Sequence, residues 1–455
     1  MRENGFMPAF TPPKADLLAR LSTCPTLQVP YPPIETFKEL EFQAEDLEKH
    51  LRASQSFAIH LHIPFCKELC NYCNCNIVVT RQYGLAAQYA DYLKQEIQWY
   101  GQIIKGMSQK RLPPKQIYFG GGTPTFLLAD DLRRVTYEIE NSFGVSHAVD
   151  RDYCIETDPR TVDTELVSLV KSLGFNRIHF GVEDFSTQVQ QVINRKYTFE
   201  KLKQSTSDVR SQGIQSVSFD VTFGLPQQSL GSFMSSLKQL LKLSPSRVVL
   251  RKYHHNPKIF TSQSLIDIES VPEDKTVMEM RTFAINHLQS SGYCAIGPDC
   301  FVSNDDPLCD ATKSGRLQWT QHGYVPDVAD TVIGFGLSAI SSTPSAVWQN
   351  QLGLRDYTRQ VRSYGHSVYR GTELSVDDQI RKEITQRLLC NLEVNKEEFE
   401  SRWKTSFDHY FAKELSNLEQ EFGQQMVISN QQKLRLTPSG QWFANQLASY
   451  FRRAG

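Results

Sequence analysis

Phe57, Ile59, Leu61 and Ile63 alternate with Ala58, His60 and His62, the period-two pattern of a strand. From Gln88 to Ile104 the period changes: Tyr92, Leu93, Ile97, Tyr100 and Ile104 recur at helical spacing, and the short apolar strand Gln116–Phe119 follows. Four more strands are predicted at Tyr153–Glu156, Arg177–Val182, Val217–Phe223 and Val248–Tyr253. Helical patterns over Asp131–Phe143, Thr164–Leu173, Phe199–Gln212, Leu230–Leu243 and Lys275–Ser290 alternate with them. Six βα units in succession predict an α/β fold, a partial (β/α)6 barrel of parallel strands.

Residues 1–55 are rich in proline and aromatics (Phe10-Thr-Pro-Pro, Val29-Pro-Tyr-Pro-Pro) and end in a helical pattern near Glu45–Leu51, which reads as an N-terminal arm laid over a domain. The barrel and its extension take residues 56–374. From 375 to 455 charged helical segments (Asp377–Leu389, Lys396–Phe411, Leu415–Phe422) lead into two short apolar runs, Met426-Val-Ile-Ser and Lys433-Leu-Arg-Leu, and a final helix Ser439–Phe451, a helical, winged-helix-like domain.

In such barrels ligands meet the C-terminal ends of the strands. Here each strand runs into chemistry-bearing residues: the cysteines after strand one, Gly120-Gly-Gly-Thr-Pro124 after strand two, Glu156-Thr-Asp158 at three, Glu183-Asp184 at four, Gly224-Leu-Pro226 at five, and His254-His255 at six. The 455 residues carry 49 basic and 50 acidic side chains, so net charge points to neither nucleic acid nor a membrane surface, and any anionic ligand must find local cations. The first residues lack the apolar core of a signal peptide and no run approaches the roughly 18 apolar residues of a membrane span, which predicts a cytoplasmic chain with its ten cysteines reduced.

Four of those cysteines, Cys66, Cys70, Cys73 and Cys75, fall within ten residues, and the first three have the spacing CxxxCxxC. One loop of that spacing can wrap three thiolates around a 4Fe-4S cube, leaving the fourth iron open to a ligand. The competing reading is a structural zinc site, but zinc knuckles usually come in pairs, and Cys24, Cys154, Cys294, Cys300, Cys309 and Cys390 are scattered singly.

CxxxCxxC after one strand and Phe119-Gly-Gly-Gly-Thr-Pro124 after the next resemble the radical S-adenosylmethionine (SAM) superfamily. Cys75, Val79-Thr-Arg81, Ile155-Glu-Thr-Asp-Pro-Arg160, Gly174-Phe-Asn-Arg-Ile178, Gly224-Leu-Pro226 and Gly336-Leu-Ser-Ala-Ile-Ser341 make the chain similar to one branch, oxygen-independent coproporphyrinogen III oxidase (dehydrogenase). The resemblance implies an enzyme of haem biosynthesis that decarboxylates propionates of coproporphyrinogen III to vinyls. It implies Cys66, Cys70 and Cys73 as cluster ligands, with Glu156 joining them in the catalytic centre. Gly121, Gly122, Glu156 and Asp220 are implied as SAM contacts, Arg195 as the receiver of a carboxylate, and Tyr72, Gly122, Thr123, Arg195 and Asp220 as facing a second SAM. His60, Glu183, His254 and Ile340 complete the implied cofactor pocket. Arg251 and Lys252, beside the end of strand six, join Arg195 as candidates for the substrate carboxylates. A monomer served by an electron donor such as flavodoxin or ferredoxin is implied too.

Several positions depart from the family pattern. His60 stands where tyrosine is usual, Glu183 and His322 where glutamine is, Cys300 in Gly297-Pro-Asp-Cys-Phe301 where histidine is, and His254 where a small residue is. These bear on the second SAM and the substrate, not on the cluster, and keep two alternatives in play: a paralogue that methylates or otherwise modifies another tetrapyrrole, and a haem chaperone without turnover.

Overall fold

The computed structural model describes residues 31–107, 113–146, 151–320, 322–327 and 329–452, together with Phe10, Pro12, Pro13, Leu17 and Leu21. Most of the predicted arm before residue 31, with Cys24, lies outside the described residues. The chain divides into two compact units, one of residues 37–280 and 329–373, the other of residues 1–36, 281–328 and 374–455.

In the first unit a helix α1 (Ala44–Leu51) precedes the predicted alternation: β1 (Phe57–Ile63), α2 (Tyr83–Gly106), β2 (Gln116–Gly121), α3 (Ala129–Phe143), β3 (Asp152–Thr157), α4 (Thr164–Ser172) and β4 (Arg177–Glu183). Then come α5 (Thr187–Val192), α6 (Phe199–Ser211), β5 (Ser216–Phe223), α7 (Leu230–Leu241) and β6 (Arg247–Lys252), and the helix α8 (Asp274–Ser290) carries the chain from the first unit into the second. Strands β1 to β6 pair in sequence order, all parallel. Every residue of β1 is buried, as expected of a parallel strand covered on both faces. The helices start where local chemistry permits: Asp163, Thr198 and Ser229 each accept a hydrogen bond from a first-turn backbone N–H of α4, α6 and α7.

The sheet also continues on the other side of β1. Strand β7 (Thr331–Gly336) lies parallel to it, followed by antiparallel β8 (Ile340–Ser342), β9 (Ala346–Asn350) and, after α9 (Leu354–Tyr364), β10 (Val368–Glu373). These strands were not predicted. β1 is therefore an interior strand of the sheet, flanked by β2 and β7.

The join at β7 is held by Glu96 of α2, fully buried, which accepts from the Gly336 N–H (2.8 Å), the Asn350 amide (2.7 Å) and the Tyr357 hydroxyl (2.9 Å). Beside it the Tyr89 hydroxyl donates to the His62 carbonyl (2.7 Å) and accepts from the Leu337 N–H (2.8 Å), tying the ends of β1 and β7 together. Burial raises Glu96 to about 7, against hydrogen bonds that lower it. A raised folded-state value means that the native chain binds more protons than the unfolded one between about 4.5 and 7, so stability falls as pH rises through that window. The change is about 3 kcal/mol, and Glu96→Gln is expected to flatten it while lowering stability overall, since its amide NH2 opposes a donor; denaturant titrations across this pH range measure both effects.

In the second unit, α10 (Val376–Cys390) opens the C-terminal segment. Two predictions are corrected here. The single helix Lys396–Phe411 is two, Lys396–Trp403 and Phe407–Tyr410, because Lys404 takes a left-handed φ of 55° that ends the first. The final helix is a 3-10 turn at Gly440–Phe443 followed by Ala444–Ser449. A three-stranded antiparallel sheet joins Glu393–Asn395, Lys433–Leu436 and Val427–Ser429. Cys300, buried in the strand Cys300–Val302, and His322, half-buried in the turn between strands Gln318–Thr320 and Gly323–Val325, belong to this unit, whereas the other candidate residues belong to the first.

Candidate active site at the strand ends

The cysteine loop leaves β1 through a two-residue strand, Phe65–Cys66, which pairs with Val78–Val79 and closes the loop at its base. Its middle is anchored from outside. The Asn71 N–H and side-chain amide donate to the Ile193 and Val192 carbonyls (3.0 and 2.8 Å), and the Asn194 amide donates to the Leu69 carbonyl (2.7 Å). Gln263 and Ser262 bond the Tyr72 and Cys73 carbonyls. His62, buried in β1, lies 2.9 Å through Nε2 from the Asn76 carbonyl; burial lowers its pKa to about 4, so a neutral ring donates that bond.

All three spaced cysteines are free and half-buried, and Cys75 is exposed. Cys66 Sγ lies 3.7 Å from Thr123 Oγ1, and Cys70 Sγ 3.7 Å from an Arg195 Nη. Burial pushes the Cys66 thiol up to about 12 and raises Cys70, while a bond from Cys75 lowers Cys73. Burial thus favours the neutral thiol at Cys66 and Cys70, a metal centre would stabilise their thiolates, and three thiols on one anchored loop fit the three-ligand donor set of an iron-sulfur cube. Among the described residues, no three His, Cys, Asp or Glu side chains are gathered around a single-ion position.

Facing this loop are the glycines at the end of β2. Gly121 has φ of +116°, and a Cβ there would stand 3.0 Å from the His62 ring. Gly122 lies against Pro64 and Phe65, backbone to backbone, with its N–H on the Ile63 carbonyl (2.9 Å). Glu156, at the end of β3, accepts from the Tyr118 hydroxyl and from the Gly121 N–H (3.2 Å). Its pKa is raised by burial, with His179 and Tyr118 acting against that. His60 is buried next to Tyr118, their rings 6.1 Å apart.

Glu183 ends β4 at a bulge and carries a left-handed φ of 67°, a conformation costly for a side chain and used to re-aim one. Its carboxylate accepts from the Tyr72 hydroxyl (2.9 Å) and the Thr222 hydroxyl, and burial raises its pKa against the nearby Arg195. The Arg195 guanidinium is itself divided among the Gly181 carbonyl (2.7 Å), Asp158 (3.5 Å) and Cys70. Asp220 of β5 lies 3.1 Å from His179 Nε2 and 2.8 Å from Arg251 Nε; burial would raise it, but those two groups hold it well below the usual carboxylate range. His254 is exposed just past β6 and Ile340 is buried at the start of β8.

The structure thus joins Tyr72 to Glu183, Glu156 to Gly121, and Arg195 to Cys70. Tyr118, Thr222, His179 and His62 are the partners that sequence reasoning missed. All four lie within strands, and the available signal was position: each is a polar residue in a strand otherwise buried on both faces.

A family model described as the radical SAM superfamily matches residues 61–240, and one described as the HemN C-terminal domain matches residues 374–443. The oxygen-independent coproporphyrinogen III oxidase of Pseudomonas aeruginosa is 30% identical over 442 residues, covering 96% of this chain and 95% of that one. The Escherichia coli oxidase is 32% identical over 394 residues, covering 87% and 85%. The solved E. coli coproporphyrinogen III oxidase (HemN), described as a radical SAM enzyme, superposes with a TM-score of 0.89 at 31% identity over 95% of this chain and 98% of that one.

Proposed function

This chain belongs to the oxygen-independent coproporphyrinogen III oxidase family of radical SAM enzymes, and on that premise we propose that it oxidatively decarboxylates propionates of coproporphyrinogen III to vinyls, giving protoporphyrinogen IX. The observation that carries this reading is that three free thiols on the loop after β1, the glycines that end β2 and the carboxylate that ends β3 lie together at the C-terminal ends of parallel strands.

The superfamily's cofactors are a 4Fe-4S cluster and SAM. When bound, they supply a carbon radical that takes a hydrogen atom from the substrate, after which carbon dioxide and one electron leave. Cys66, Cys70 and Cys73 would hold the cluster, and the loop anchors at Asn71 and Asn194 keep them in place. Gly121 and Gly122, without Cβ atoms, let the backbone approach the methionine end of SAM, and Glu156 would receive its ammonium group. Tyr72, Thr123, Arg195 and Asp220 would face a second SAM. His60, His254 and Ile340 would border the same cavity. Glu183 would sit there too, its buried carboxyl held by Tyr72 and Thr222.

The division into an arm to residue 55, a barrel to 374 and a C-terminal module belongs to this reading. So do a monomeric state, a cytoplasmic location and a flavodoxin or ferredoxin as electron donor. No helix among the described residues is long and apolar enough to cross a membrane.

A second reading, a paralogue modifying another tetrapyrrole, is favoured by Glu183, because a buried acid adds negative charge where an anionic substrate must enter. One anaerobic experiment separates the readings: reconstituted protein with SAM, a low-potential reductant and coproporphyrinogen III, followed for 5′-deoxyadenosine and tetrapyrrole mass. Two propionates lost as vinyls form, in step with deoxyadenosine, is the result expected. Deoxyadenosine formed with the tetrapyrrole unchanged points to a different substrate, and stoichiometric haem binding without deoxyadenosine points to a chaperone.

A further inference from the structure

Four adjacent parallel strands present a row of ionisable side chains: Glu156 on β3, His179 on β4, Asp220 on β5 and Arg251 on β6. Glu156 and His179 are register neighbours. His179 Nε2 is 3.1 Å from one Asp220 oxygen, and Arg251 Nε is 2.8 Å from the other. The row runs from the interior to the rim: side-chain exposure is 9% at His179, 15% at Asp220 and 51% at Arg251.

The geometry decides how the last member is presented. A guanidinium has five donors in a fixed plane, and fixing Nε fixes that plane. Asp220 does so at a rim position, since Arg251 is the penultimate residue of β6. His179 Nε2 comes within 3.1 Å of the far oxygen of Asp220 without forming a hydrogen bond to it, so the plane of the fork is set by the Asp220–Arg251 pair. The result is a half-exposed fork oriented by one carboxylate at the ends of the parallel strands, suited to bidentate recognition of a carboxylate.

We propose that Arg251, oriented by Asp220, anchors a propionate of the substrate that is not being cleaved. This rests on the function proposed above. The choice of a spectator propionate follows from energetics. The reacting carboxylate becomes neutral carbon dioxide, so a strong cation on it would stabilise the ground state more than the transition state and slow the step. A spectator carboxylate keeps its charge throughout, and its anchor contributes binding and position alone.

The test uses reconstituted holoprotein without reductant, so that nothing turns over, and the stable oxidised tetra-acid coproporphyrin III as probe, titrated alongside its tetramethyl ester. Arg251→Met is expected to weaken binding of the tetra-acid by about 10–100-fold, the worth of a charge-assisted pair, and Arg251→Lys by less. Binding of the ester is expected to stay the same in both. Equal tetra-acid affinity in wild type and Arg251→Met, or equal losses for acid and ester, overturns the anchor while leaving the decarboxylase reading intact. Failure of the wild type to bind the tetra-acid at all overturns the anchor, while the decarboxylase reading stands or falls with the turnover assay above.

Discussion

Cys70→Ala is expected to reduce both bound iron and SAM cleavage to background while leaving the fold standing. The backbone on either side of Cys70 is fixed by bonds that the substitution does not touch: Leu69 through Asn194, and Asn71 through Val192 and Ile193. Removing Sγ therefore takes away a ligand and a contact to Arg195, and little else. A cube left with two protein thiolates is not retained, so the loss should exceed the ~10–100-fold that removal of an outer-shell partner brings. Iron content per chain, the charge-transfer absorbance of the reconstituted protein and 5′-deoxyadenosine formation are the three readouts. Cys75→Ala, on the same loop but outside the CxxxCxxC spacing, is expected to keep its iron. A Cys70→Ala variant that cleaves SAM at the normal rate would remove the cluster assignment.

Gly122→Ala is the second substitution with a large expected effect, and it works through the backbone. A Cβ at this position would lie 2.6 Å from the Pro64 carbonyl oxygen and 2.8 Å from that of Phe65. Neither is the end of a flexible side chain. Both belong to the segment that delivers Cys66, which is stitched to Gly122 and Thr123 by N–H bonds to the Ile63 and Phe65 carbonyls, each 2.9 Å. One strand end must move away from the other, at a cost of about 1–3 kcal/mol, and the first cysteine moves with it. The expectation is a melting temperature lower by several degrees, weakened SAM binding by calorimetry, and substoichiometric iron after reconstitution. Gly84→Ala, in the first turn of α2 with nothing within 4 Å of the new Cβ, is the control and should be neutral or slightly stabilising.

The βα alternation is legible because each unit writes its own period locally. Strand β1 reads by alternation and α2 by helical recurrence, so both fall where the pattern puts them, within a few residues at the ends. The cysteine loop and the carboxylates at Glu156 and Glu183 are legible for a related reason: strand ends in a parallel sheet are where function collects, and sequence alone finds strand ends. Strands β7 to β10 are not legible. They are three to six residues long, and what makes them strands is pairing with β1 and with one another, a non-local fact. Lys404 hides for the opposite reason: a helix end in the left-handed region is usually marked by glycine, and here a lysine adopts it. His179 and Tyr118 are legible only as polar residues in strands buried on both faces, where no alternation marks which side chains point into the site.

The position of β1 between β2 and β7 also sets a schedule. His62 pairs with Gly120 on one side and with Gly336 on the other, and Gly336 is made about 270 residues later, some 15–55 s of synthesis at ordinary elongation rates. Until then Cys66, Cys70 and Cys73 belong to a loop whose parent strand has at most one of its two neighbours. The scaffold behind the cysteine loop is complete only once β7 has been made, so the thiols gain their full support well after they are themselves synthesised.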